Sequence, residues 1–242
     1  MSRTVRRTAA ALLALGALAY TAWVLEVLVH TGLDPVRTYV SELAAADQPL
    51  GGLFRATDFA AGLLVLAGAL TGLAGAWRAC GSGAPGHKGR DPWAVGGWIA
   101  LAVFGAATVA DSRLPLSCAP TADPVCAARE TAGLVPATHA AHAVSSSLAM
   151  TGALAALVAL TVAARRHDRR LPLARTGPAL VALEFAATAW TLAAVAAFEA
   201  GKGLWALGAG QRLQVLLVAV WLAVLAYSLA RSPAGDGRRE RR

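Results

Sequence analysis

Two histidines three residues apart, His139 and His142, with Ser146 one turn further on, fall on one face of any helix that carries them. Two imidazoles at that spacing can grip one metal ion. Asp111 as a third ligand, with Asp58 as a fourth ligand or a general base, completes a nitrogen and carboxylate set that suits a zinc-like divalent ion and leaves a position for water. Such a water is acidified and attacks ester, amide or phosphoester bonds. The spacing lacks the glutamate that a zincin helix carries between its histidines, so it does not name the reaction by itself. The same residues permit a second chemistry, because Ser145, Ser146 and Ser147 follow His142 by one turn and Asp111 is available to orient the imidazole of a nucleophilic triad. No G-x-S-x-G elbow accompanies those serines, and serine runs also serve close helix packing in membranes. Haem held between His30 and His139 or His142 would require deeper, matched histidines.

These side chains are notable because the sequence around them is apolar. Of the 242 residues, 57% are hydrophobic, and the mean hydropathy is +0.54, more apolar surface than a soluble core of this size can hide. The Ala, Leu and Val blocks reach the roughly 20 residues needed to cross about 30 Å of hydrocarbon. They predict an all-α, single-domain bundle over residues 1–242 with six transmembrane helices, near 8–29, 53–77, 93–111, 137–164, 177–200 and 211–230. The first apolar run follows Arg3, Arg6 and Arg7 and is longer than a signal-peptide core, so it is read as a retained helix. Between the blocks stand Asp34-Pro35, Gly81 to Gly89, the Pro-rich Leu114 to Val125, and Gly201 to Gly210, all loop punctuation.

The formal charge of +8 reads as topology and not as affinity for nucleic acid. With an even number of crossings and the N-terminus in the cytoplasm, the basic clusters Arg3 to Arg7, Arg78 to Arg90, Arg165 to Arg175 and Arg231 to Arg242 all share the inner side. Only Arg37, Arg55, Arg113, Arg129, Lys202 and Arg212 remain outside, which is the positive-inside pattern. Both termini are therefore expected in the cytoplasm, and the Arg- and Ala-rich composition suits a bacterial plasma membrane. Cys118 and Cys126 then fall together in an outer, oxidising segment and are expected to pair, whereas Cys80 at the inner end of the second helix stays a thiol. Trp23, Trp77, Trp93 and Trp205 mark interfaces, and Trp190 is expected between helices. The glycines of the second and third helices place those two deep in the bundle.

On this topology the ionisable residues gather at the outer ends of the spans, where they are costly unless they face a wet interior. Glu26 and His30 end the first helix, Asp58 lies near the start of the second, Asp111 ends the third, His139 and His142 begin the fourth, and Glu199 and Arg212 flank the last loop. Each has a plain structural alternative: Glu26 with His30, Asp58 in a first helical turn, Asp111 with Arg113 or Arg129, the histidines at the headgroups. Glu184 stands deeper. Its neighbourhood Glu184-Phe185-Ala186-Ala187 echoes Asp58-Phe59-Ala60-Ala61, which would fit a 3+3 inverted repeat of the transporter kind.

The run Asp34-Pro35-Val36-Arg37-Thr38-Tyr39-Val40-Ser41-Glu42-Leu43-Ala44, followed by Gly51-Gly52-Leu53-Phe54-Arg55-Ala56-Thr57-Asp58-Phe59-Ala60-Ala61-Gly62, resembles the bacterial domain-of-unknown-function family 998. Asp111, the Cys118 and Cys126 pair and the stretch from His139 to Ser147 are similar too. The resemblance spans nearly the whole chain and implies a six-helix membrane protein without an assigned activity.

Together the sequence points to ligand handling in a polar pocket at the outer face, with membrane lipids or a lipid-like or small molecule as ligand. In the enzyme version a divalent metal sits on His139, His142 and Asp111, with Asp58 and Ser146 as further catalytic candidates. In the non-enzymatic version Glu26, His30, Glu184 and Arg212 bind substrate or protons. A purely structural accessory subunit is the third reading, and the oligomeric state is left open. The charge pattern generates one direct test. In a chain with Cys80→Ser, a cysteine placed by Thr131→Cys should react with a membrane-impermeant maleimide in intact cells, and one placed by Arg169→Cys only after permeabilisation.

Overall fold

The computed structural model describes residues 2–78 and 91–232. Among them it is all-helical: α1 (Arg3–Tyr20), α2 (Gly51–Arg78), α3 (Pro92–Asp111), α4 (Pro124–Thr131), α5 (Ala137–His167), α6 (Pro172–Glu199) and α7 (Leu207–Arg231). Six segments are long and apolar enough to span a bilayer, α1 with the turn that follows it and α2, α3, α5, α6 and α7, so the chain is a multi-pass integral membrane protein. Cys80, Lys88, Arg90 and the basic tail lie outside the described residues.

Three boundaries depart from the sequence pattern for identifiable reasons. The first helix ends at Tyr20 instead of near Val29: the Thr21 hydroxyl bonds back to the Leu18 carbonyl at 2.7 Å, and the chain continues as a tighter 3₁₀ segment, Ala22–Val27. The fifth span, α6, starts at Pro172, five residues earlier than Gly177, because proline is favoured in a first turn where its missing N–H costs nothing. Within the Pro-rich loop, Asp123 accepts from the Val125 N–H at 2.8 Å and Pro124 opens a short helix, α4.

Without a hydrophobic force between helices in lipid, packing relies on close backbone approach. A Cβ at Gly62 would come within 2.8 Å of the Val109 nitrogen, and one at Gly105 within 2.6 Å of the Leu66 nitrogen, so α2 and α3 touch through bare backbone. Gly152 does the same for α5, where an added Cβ would lie 2.9 Å from the Phe104 nitrogen. The second and third helices are thus as intimate as their glycines imply. The helix sequence did not single out, α5, packs on the other face of α3 and shares the core of Leu101, Phe104, Ala153 and Leu157. Trp190 also lies between helices: its ring meets α7 at Gly210, and its indole donates to the Trp205 carbonyl at 3.0 Å. Helices α5 and α6 meet near their connecting turn, where Gly177 abuts Thr161.

Residues 28–50 and 112–136 form an ordered cap over the end of the bundle opposite the termini. Their two halves are tied by the Ala46 N–H donating to the Leu116 carbonyl at 2.8 Å, and by Glu42, which is fully buried and accepts from the Thr121 N–H at 2.8 Å and hydroxyl at 2.6 Å. Cys118 and Cys126 are disulfide-bonded across 6.0 Å between their Cα atoms, as their spacing suggested, and join α4 to the preceding loop. The cap is anchored below by Arg55, which donates to the Ala44 carbonyl at 2.7 Å, by Gln211, which accepts from the Val40 N–H at 2.7 Å, and by Arg212. Arg212 grips Glu26 through two bonds of 2.7 Å and donates to the Thr38 carbonyl at 2.7 Å. Glu26 is therefore paired with α7 and not with His30.

Two outcomes follow from these contacts. Glu26→Gln leaves a buried guanidinium without its counter-charge and should cost about 3–5 kcal/mol, whereas Glu26→Leu combined with Arg212→Met should recover part of that loss; thermal unfolding in detergent measures both. Burial raises the Glu42 carboxyl from 4.5 to about 7 against the lowering effect of its bonds to Thr121, so the fold prefers it protonated. Its stabilising contribution is complete below pH 4.5 and is lost as pH rises through about 7. The difference in melting temperature between wild type and Glu42→Gln should change across that window and level off on either side.

Candidate functional site

Beneath the cap lies a cavity of about 120 Å³ to which five of the six spans contribute: Tyr20 and Trp23 from the first, Phe54 and Asp58 from α2, Thr108 and Asp111 from α3, Ser146 and Met150 from α5, and Gln211 and Gln214 from α7. Ser41 and Leu43 of the cap close it. Because α2 begins at Gly51, Asp58 stands two turns inside the helix and not in the first turn, so the helix dipole does not account for it. Its carboxylate shares the cavity with Asp111. The indole nitrogen of Trp23 is buried without a partner on the same wall.

Asp111 organises the polar side. Its Oδ1 accepts from the hydroxyl of Ser145 and from that of Ser146, the latter at 2.9 Å, and lies 3.2 Å from Nδ1 of His142. Arg113, a sequence candidate for pairing with Asp111, instead lies over the Phe59 ring, 5.8 Å from its centroid. His142 is buried, and its Nδ1 also lies 3.0 Å from the Leu114 carbonyl. A carbonyl only accepts, so the hydrogen resides on Nδ1 and the lone pair on Nε2. That Nε2 is 3.3 Å from Oγ of Ser146. The one-turn spacing seen in sequence thus becomes a contact, aspartate to imidazole to hydroxyl.

His139 is buried nearby with the opposite tautomer. Its Nδ1 accepts from the Ser117 N–H at 3.0 Å, so Nε2 bears the hydrogen and faces Glu130 Oε1 at 3.3 Å. The two imidazoles therefore serve different partners, His139 the cap residues Ser117 and Glu130, and His142 Leu114, Asp111 and Ser146. Among the described residues no three His, Cys, Asp or Glu side chains are gathered as a metal-ligand group. Both histidines are buried among protein groups.

The remaining candidates are dispersed. Glu26 and Arg212 satisfy each other away from the cavity. His30 is exposed beside a small hollow with Leu33, Gln48 and Phe54. Glu184 is buried in α6 with neither carboxylate oxygen hydrogen-bonded. Gln211 and Gln214 are not among the sequence candidates, although two amides three apart in an apolar span are a visible signal. Glu42 and Glu130 are not among them either, because their importance depends on distant partners, Thr121 and His139.

A second hollow of about 400 Å³ opens between α5 and α6. Leu154, Leu192 and Val195 make it apolar toward the lipid, while Tyr39, Glu199, Thr188 and Thr191 add polar groups. Burial raises the Tyr39 phenol above its ordinary value, reinforced by the negative charges of Glu199, Glu130 and Glu42, so it remains a neutral hydroxyl; its ring stacks edge-on to Phe198 at 6.3 Å. Ser41, Ser146, Met150, Gln211 and Gln214 line both hollows and form the partition between them.

Comparison with curated proteins found no match, and comparison with solved structures found none either. A family model described as "Protein of unknown function (DUF998)" matches residues 13–228, from the middle of α1 to the end of α7 and across the whole site. With that span covered, the chain belongs to the DUF998 family.

Proposed function

We propose that this protein binds a lipid-like amphiphile, its polar head in the cavity beneath the cap and its apolar part in the cleft between α5 and α6. The observation that carries this reading is the shared lining: Ser41, Ser146, Met150, Gln211 and Gln214 border both a chamber of about 120 Å³ that holds Asp58 and Asp111 and a cleft of about 400 Å³ in which Leu154, Leu192 and Val195 stand beside polar groups. A molecule with a hydrogen-bonding end and a hydrocarbon end matches both chemistries at once, and a lateral cleft admits it directly from the bilayer. Asp58, Asp111, Ser146 and the amides of Gln211 and Gln214 offer donors and acceptors to the head. By the positive-inside count the site faces the outer leaflet of a bacterial plasma membrane.

The metal-dependent hydrolase is the version of this reading that requires rearrangement. His139 would have to release Ser117 and Glu130 before sharing an ion with His142 and Asp111. Added zinc that raises the melting temperature of wild type but not of His139→Ala or His142→Ala would support it. One observation favours a different reading: Glu184, enclosed within α6 with both oxygens unpaired, has the setting of a proton-carrying carboxyl in a transporter. Loss of proton-coupled uptake in Glu184→Gln, with uptake retained in Ser146 variants, would establish that reading in place of the first.

Native mass spectrometry of the purified protein should detect a retained lipid at a stoichiometry near one. Met150→Trp, which fills the border shared by chamber and cleft, should reduce retention at least tenfold while the melting temperature stays within a few degrees of wild type. Equal retention by the two proteins would refute the reading.

A further inference from the structure

We infer that Ser146 is a nucleophile, with His142 as its general base and Asp111 positioning the imidazole, and that the substrate class is an ester-bearing amphiphile. The inference rests on the proposal that such a molecule occupies the chamber and cleft, and it adds a covalent step to what would otherwise be a binding site.

Three features of the geometry carry it. First, the order of contacts is that of a relay: Asp111 Oδ1 lies 3.2 Å from Nδ1 of His142, and Nε2 of the same ring lies 3.3 Å from Ser146 Oγ. Second, the tautomer is fixed by a group outside the relay. The Leu114 carbonyl holds the hydrogen on Nδ1, which leaves the Nε2 lone pair directed at the hydroxyl, as a general base requires. Third, Ser146 is the member of the serine run placed at the partition, lining both chamber and cleft, so a bond near the junction of polar head and apolar tail would be brought to it. Ser145 is turned to Asp111 and to the His142 carbonyl, and Ser147 to the Ala143 carbonyl at 2.7 Å.

Ser146 gives its single hydrogen to Asp111 at 2.9 Å in this structure, and attack requires it to turn that hydrogen to His142 Nε2, 3.3 Å away. His142 is the better acceptor during attack. The Asp111 oxygen already receives the Ser145 hydroxyl and lies 3.2 Å from Nδ1, whose hydrogen goes to Leu114, and its charge stabilises the imidazolium once formed. Gln211 supplies the remaining element. Its Oε1 accepts from the Val40 N–H, which fixes the amide plane and leaves the NH₂ group available to the chamber as a donor for a developing oxyanion.

The step balances without a co-reactant other than water. Ser146 Oγ attacks the ester carbonyl carbon while its proton passes to His142 Nε2, and the carbonyl oxygen becomes the oxyanion. Collapse breaks the bond to the alkoxy oxygen, which leaves as the alcohol with the proton from Nε2. Water then attacks the acyl carbon and gives one proton to Nε2. The second collapse returns that proton to Ser146 and releases the carboxylic acid.

A fluorophosphonate reports the first half of this step, since the serine oxygen bonds to phosphorus and fluoride leaves. Full-length protein in detergent, treated with fluorophosphonates bearing short and long alkyl chains, should gain one adduct on Ser146 by intact-mass and peptide analysis, faster with the long chain. His142→Asn should slow labelling by about 10²-fold or more, and Ser232→Ala, at the opposite end of the bundle, should label as wild type. Ser146→Cys, nearly equal in size, should fold, lose phosphonylation and be alkylated by an iodoacetamide carrying an alkyl tail. Labelling that persists in both Ser146→Ala and Ser146→Cys, or wild type that takes up neither probe, overturns the assignment. Lipid still retained by that unlabelled wild type would leave the binding proposal standing, while loss of both would remove the two together. Labelling by the short probe alone overturns the amphiphile as substrate class.

Discussion

The buried pair of Glu26 and Arg212 is the constraint from which the cap and the site take their positions. Arg212 sits in the second turn of α7 and Glu26 in the 3₁₀ segment that follows α1, so their two bonds of 2.7 Å lock the first and last spans together at the same end. Both side chains are nearly removed from solvent, at 8% and 5% exposure, and a charge so placed is tolerable only with its partner. The planar guanidinium has donors to spare, and it uses them on the Thr38 and Gly208 carbonyls. That third attachment brings the chain after Asp34 down onto the bundle. From there Val40 reaches Gln211 and Glu42 reaches Thr121.

The cap in turn decides what the histidines do. Had residues 112–136 stayed a solvated loop, His139 and His142 would face headgroups at the start of α5. Instead Ser117 and Leu114 each present a backbone group to one ring, an N–H to His139 and a carbonyl to His142. Opposite tautomers follow from those two contacts alone. One imidazole becomes part of the cap, and the other presents an acceptor to Ser146. The disulfide between Cys118 and Cys126 lies in the same segment and restrains the backbone that carries both contacts.

Below the cap, the bundle is uneven by design of its small residues. Glycines hold α2, α3 and α5 at backbone contact, and a residue with any side chain at Gly62 or Gly105 would force them apart. The pair α5 and α6 lacks such contact beyond Gly177, and there the cleft opens. In lipid, an interface without small residues gains little from closing, because hydrocarbon solvates both faces as well as they solvate each other.

Composition and local spacing were enough to place the six spans, the disulfide and the polar character of one end. Each of these is written locally: hydropathy needs only about 20 consecutive residues, and the cysteines are close neighbours in the chain. Local spacing also placed His142 and Ser146 on one helical face, since a helix fixes that spacing. Which polar residues meet depends on how the helices pack. Glu26 and Arg212 are 186 residues apart, Glu42 and Thr121 are 79 apart, and Asp111 and Ser146 are 35 apart. No periodicity encodes such pairings. They arise from the order in which helices pack and from the descent of the cap, and a carboxylate in an apolar span looks the same in sequence whether it finds a guanidinium, as Glu26 does, a hydroxyl, as Asp111 does, or no partner, as with Glu184.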